Sequence, residues 1–299
     1  MGEDPQVRAT KRRAFWRRNG GRFLGFGLVI ALGATGVVLQ RAGLLTGLTP
    51  DASGSSATST PRVNLTTPFL GTEAGPWPDG AAGITVPETG PLGKYSAAQV
   101  KAFGERVRQV LITGRLDRRV IVEGQTEHVF KLLAPEAQEQ YDEHREKEKL
   151  PVDGGSYLYT RIAPGYKLLK AEPKVKGEMK LFVDGKGKLT AGTNYVFAFA
   201  FEPEQPEKIS DPHEIIAIQR RAGEWTLEDN PQIRKSQHGL WWGEKFDGYD
   251  YLMSCAESEK ELLAPTYREK QKPGGPTAKH DRKHYFDPNS PLDDEDGCK

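Results

Sequence analysis

The sequence predicts an α+β domain, helices packed on one face of a curved antiparallel sheet, held beyond an N-terminal transmembrane helix by a long linker. Three observations predict it. The run Phe23–Leu39 is seventeen residues without a charge. Apolar residues then recur at helical spacing from Val100 to Leu111, and after Pro151 the pattern changes to alternation. The expected organisation is a basic cytoplasmic segment (1–22), a transmembrane helix (23–40), a disordered linker (41–94), a folded domain (95–265) and a disordered charged tail (266–299).

At a rise of ~1.5 Å per residue the uncharged run spans about 25 Å, enough to cross a bilayer when its flanks snorkel. Seven basic residues from Arg8 to Arg22 face only Glu3 and Asp4, whereas residues 43–93 hold four acids against Arg62. This asymmetry places the N-terminus in the cytosol and the bulk of the chain outside. A cleaved secretory signal is the rival reading, but the apolar run exceeds the ~7–15 residues usual for one, and its nearest small-x-small triplet, Ala34 to Gly36, lies inside the run. From Thr49 to Gly93, 26 of 45 residues are Ser, Thr, Pro or Gly, which predicts a tether rather than a core.

Within the domain, Ser96 and Gln99 have the spacing of a capping box. Val100, Phe103, Val107, Val110 and Leu111 line one face of the helix that follows, with Gly114 as its expected stop. Thr126 is the expected cap of a second helix, and Pro135 opens a third that runs to about Lys149 with a mostly solvated surface. Tyr157–Ile162 and Tyr166–Leu169 read as strands. Val175, Met179, Leu181 and Val183 share one parity, and past the turn Asp184–Gly187 so do Leu189, Thr193, Tyr195, Phe197, Phe199 and Phe201, a hairpin. Ile215–Ile218 is expected to turn at Arg221–Glu224 into Trp225–Glu228. The aromatic-rich stretch His238–Tyr251 is expected to be loop, because Gly239, Gly243 and Gly248 interrupt it. From Thr266 onward 14 of 34 residues are charged, which predicts disorder.

Lys plus Arg (42) nearly balances Asp plus Glu (41), so the composition gives no reason to expect nucleic-acid binding. Two cysteines, Cys255 and Cys298, exclude a four-thiolate zinc site but allow one disulfide across 42 intervening residues. No P-loop, dinucleotide fingerprint or nucleophile elbow is present, so no cofactor or catalytic residue is assigned. His280, His284, Asp281 and Asp287 have metal-ligand spacing only on a rigid helix, and the surrounding prolines and glycines favour a solvated tail. Trp241 and Trp242 are the leading binding candidates, since Trp covers area at low entropic cost, with burial at the open end of the sheet as the plainer outcome. His128 is a weaker candidate, as a surface or cap histidine.

The order of elements from Ser96 to Trp225 resembles an NTF2-like or cystatin-like cone. Together with Tyr159–Pro164, Gly239–Trp241 and Cys255 followed by Leu263–Tyr267, the layout resembles uncharacterised single-pass envelope proteins of actinobacteria. The resemblance implies an extracytoplasmic location and a cone fold, and transfers no functional residue. If the cone were hollow, His128 is where an NTF2-like general base would be sought. The expected role is a non-enzymatic protein-contact or complex-assembly module, with an envelope protein or a second copy as partner. The alternatives are a small-molecule or cell-wall glycan binder and, third, an isomerase- or hydrolase-like enzyme.

Overall fold

In the computed structural model the described residues are 63–149, 157–269 and 280–292. The expected transmembrane helix at 23–40 lies outside them. No helix among the described residues is long and apolar enough to cross a membrane.

Ser96 and Gln99 form the expected reciprocal cap, and helix α1 (Ala97–Arg115) follows with Val100, Phe103, Val107, Val110 and Leu111 buried. Gly114 does not stop it. The helix continues to Arg115, and the missing side chain lets the Leu158 carbonyl come within 2.4 Å of where a Cβ would stand. Three shorter helices follow: α2 (Arg118–Ile121), α3 (Glu127–Phe130) and α4 (Ala137–Glu148).

Strands β1 (Lys174–Val183), β2 (Leu189–Ala200), β3 (Ile216–Glu228) and β4 (Gly239–Tyr251) form one antiparallel sheet in chain order. The β1–β2 hairpin turns where its sequence says. Asp184 accepts from the Lys186 and Lys188 amides, and Gly187 takes a positive φ of 78°. The expected turn at Arg221–Glu224 is instead the middle of β3, its irregularity absorbed by a bulge between Gly223 and Trp225. The expected loop at 238–251 is strand β4. Its glycines are places of close approach: a Cβ on Gly248 would meet the Arg220 carbonyl at 2.2 Å and one on Gly243 the Glu224 side chain at 2.9 Å. Tyr157–Ile162 and Tyr166–Leu169 stay outside the sheet, tied by single bridges, Ile162 to Leu263 and Leu168 to Phe201, and by amide bonds from Thr160 to the Gly114 carbonyl and from Ile162 to the Ile121 carbonyl. The short helix α5 (Cys255–Ser258) and the five-residue α6 (Arg282–Phe286) complete the order.

Both faces of the sheet are buried. On one, Tyr195, Phe197, Phe199 and Trp225 pack beneath α1 and the short helices. On the other, Val196, Ala198, Ala200, Ile216 and Ile218 are covered by Phe69, Ala74 and Trp77 from the N-terminal side and Phe286 from the C-terminal side. Two expectations of disorder are therefore corrected for the described residues. Residues 64–77 fold as successive β-turns, Thr67 on Asn64, Leu70 on Thr67, Thr72 on Phe69, Gly75 on Thr72 and Trp77 on Ala74, and a short 3-10 helix at Gly80–Gly83 and single bridges from Asp79 to Lys174 and Leu92 to Tyr95 follow. Arg108 of α1 holds the end of this segment by donating to the Ala81 and Ile84 carbonyls. Residues 280–292 likewise pack on the sheet rather than trailing free.

Candidate functional site

Rings from three elements converge at one end of the helix-covered face. α4 contributes Tyr141, the extended segment after residue 156 contributes Tyr157 and Tyr159, and β4 contributes Trp241, Trp242 and Phe246. Tyr141 meets Tyr157 and Trp242 edge-on at 6.1 Å each, Tyr157 lies 4.8 Å from Phe246, and Trp241 crosses Trp242 at 5.5 Å. The Trp241 indole donates to the Gln237 carbonyl at 2.7 Å. Both tryptophans are half-buried against the core. The two expected binding residues thus stand together, spending much of their ring surface on neighbours.

Charged groups underlie this cluster. Arg145 donates to the Tyr141 hydroxyl at 2.8 Å and reaches Glu261 at 3.4 Å. Tyr141 in turn donates to Tyr159. Deeper, Arg115 is 1% exposed and donates to the Thr160 hydroxyl at 3.0 Å and to the Tyr157 carbonyl, while Thr160 donates to Gln219 at 2.6 Å. Burial pulls the Arg115 guanidinium well below its ordinary value, with the like charge of Arg221 acting the same way. Burial also raises the Tyr157 phenol, so it remains a neutral wall. The arrangement offers apolar and hydrogen-bonding surface and no nucleophile paired with a base.

His128 is not part of this cluster. Its ring is about a quarter exposed and lies 3.1 Å from the Gln125 amide oxygen and 3.7 Å from Glu127, at the start of α3. A cleft of about 50 Å³ lies elsewhere, lined by Leu116, Arg118, Ile121, Leu168, Lys170 and Glu172 among others. It has room for a few waters. An open, acidic depression of about 590 Å³ runs along α4 past Glu139, Asp142, Glu143 and Glu146, the solvated surface expected of that helix.

Of the candidate metal residues, His280, just before α6, and His284 within it stack at 3.9 Å. No group of three or more His, Cys, Asp or Glu able to hold a metal occurs among the described residues. Cys255, the first residue of α5, is disulfide-bonded. Cys298 lies outside the described residues.

Sequence reasoning missed a polar cluster on the other face. His213 is 7% exposed, with Nδ1 2.6 Å from Asp211, Nε2 2.8 Å from Glu73 and the Arg282 guanidinium at 3.0 Å. It joins the N-terminal segment, the loop before β3 and α6. Burial opposes the charge on Asp211, but hydrogen bonds from the His213 amide and ring and the Arg282 charge hold its carboxyl below the ordinary range. A local signal existed, since Asp211 and Glu214 form a capping box around Pro212 and His213. The partners from positions 73 and 282 carry none.

No family model, curated protein or solved structure matches this chain.

Proposed function

We propose that the chain is a single-pass, membrane-anchored protein whose extracytoplasmic domain serves as a protein-contact or complex-assembly module. The observation that carries the reading is the filled inner face of the sheet. Tyr195, Phe197 and Phe199 are 0% exposed and Trp225 1%, so recognition falls to the outer surfaces rather than to an internal chamber. The uncharged run 23–39 with its basic flank supports the anchor and its orientation. The Cys255 disulfide supports an oxidising location for the domain. Helices followed by an antiparallel meander support an NTF2-like or cystatin-like arrangement, from which the filled interior is a departure.

Crosslinking the full-length protein in intact membranes tests this. A discrete adduct with an envelope protein or a second copy is expected. Recovery only as an uncrosslinked monomer, or of the full-length chain in the soluble fraction, overturns it. The half-buried Trp241–Trp242 pair supports contact with a protein over a sugar platform, because the rings already pack on each other and on Tyr141 and Tyr157.

A further inference from the structure

Residues 280–292 lie on the second face of the sheet in an unusual way. Among the described residues their backbone hydrogen bonds are internal: His284 to Asp281, Asp287 to His284 and Ser290 to Asp287. The sheet holds them through side chains reaching their main-chain carbonyls. Arg220 of β3, 3% exposed, donates to the carbonyls of Ser290 (2.7 Å) and Pro288. Asn194 of β2 donates to the same Pro288 carbonyl at 2.7 Å while accepting from the Arg220 Nε at 3.1 Å. The Tyr249 hydroxyl of β4 donates to the Tyr285 carbonyl at 2.8 Å. Two rings complete the fit. Tyr285 stacks on Tyr251 at 4.0 Å and 8°, and Phe286, 3% exposed, sits edge-on to Trp77, His213 and Tyr251.

This is the chemistry by which a protein surface reads a peptide: pre-oriented donors for carbonyls and an apolar seat for one anchor side chain. Carbonyls of a packed segment must find a donor, and here side chains of β2, β3 and β4 supply it. Losing it would return Arg220, Asn194 and Tyr249 to water, where each is fully solvated. The apolar seat itself is built by the rest of the chain, from Trp77, His213 and Tyr251.

We propose that this face is a peptide-docking site whose resident occupant is the chain's own segment 280–292. In trans it takes a segment of the same chemistry and the same helix-then-turn conformation, an aromatic pair followed by an acidic residue and proline. The proposal rests on the protein-contact reading and names a surface and a partner class for it. A tethered occupant competes at a high effective concentration, so the wild-type site is largely closed to free peptide.

The test uses full-length protein in detergent and a fluorescently labelled synthetic peptide of residues 280–292. Phe286→Ala and, separately, Tyr285→Ala loosen the resident segment; each is expected to bind the peptide at least roughly tenfold more tightly than wild type. Adding Arg220→Gln to either variant is expected to abolish binding, as is replacing the peptide's own phenylalanine by alanine. Cooperative unfolding of both variants with no peptide uptake overturns the proposal. So does loss of cooperative unfolding in both, which would make the segment an integral part of the core. A variant that self-associates and refuses the peptide assigns the face to a second copy and also overturns it. Failure here leaves a crosslinked adduct in membranes intact, so the two readings fail separately.

Discussion

The two faces of the sheet are buried to similar depth by different means. The helix-covered face is closed by regular elements whose apolar residues recur along α1 and alternate along β2, so each element buries a stripe of its own. The opposite face is closed mainly by two segments with little regular structure, 63–80 and 280–292, the latter holding only the five-residue α6, each supplying one or two large rings between glycines, prolines and charges. Periodic covers are cooperative with the sheet; aperiodic covers are held point by point. They are therefore expected to differ less in burial than in how independently they open.

Mutations separate the two. Phe197→Ala on the helix side is expected to cost about 3–5 kcal/mol in urea unfolding monitored by tryptophan fluorescence, with the midpoint falling and the slope unchanged. Reduction of the Cys255 disulfide ranks next. Peptide mapping without reductant is expected to find it paired with Cys298, and reduction to cost about 2–4 kcal/mol for a 42-residue loop, speeding amide exchange in 280–292 before that of β2. Phe286→Ala is expected to cost only about 1–2 kcal/mol globally despite the residue's burial, because the segment can detach instead of leaving a cavity. Hydrogen exchange would show that release directly, and a loss as large as that of Phe197→Ala would erase the distinction between the faces.

Ser96→Ala, which removes one partner of the α1 cap, is expected to lower stability by about 1 kcal/mol without altering exchange in 280–292. The smallest effect is in acid. Asp211 is held below its ordinary value in the folded state, so its stabilising contact with His213 and Arg282 is present above the unfolded carboxylate value of ~3.9 and is lost as the pH falls through the lower folded value. Exchange in 280–292 should accelerate over that acid range in wild type, and Asp211→Asn should remove the acid step.

The difference between the faces is also a difference in legibility. The capping box at Ser96, the stripe from Val100 to Leu111 and the hairpin turn at Asp184 are local patterns, and the structure contains each. β2 held a further signal: Tyr195–Phe201 is apolar at every position, the mark of a strand buried on both sides, whereas reading one parity alone leaves its second face without a purpose. Gly114, Gly243 and Gly248 misled because a glycine at a close approach looks in sequence like a glycine at a stop or loop. Trp241 and Trp242 were recognisable as a pair, but Tyr141 and Tyr157, the partners of Trp242, come from elements far earlier in the chain.

By itself the sequence determined the α+β class, the leading helix and the central hairpin, because these follow from hydrogen bonds and side-chain periods repeating over a few residues. Tertiary structure alone decided that Phe69, Trp77 and Phe286 belong to one core and that His213 sits between Glu73 and Asp211. Those choices depend on burial against surfaces contributed from far along the chain, and no local spacing encodes the distance between residues 73 and 213.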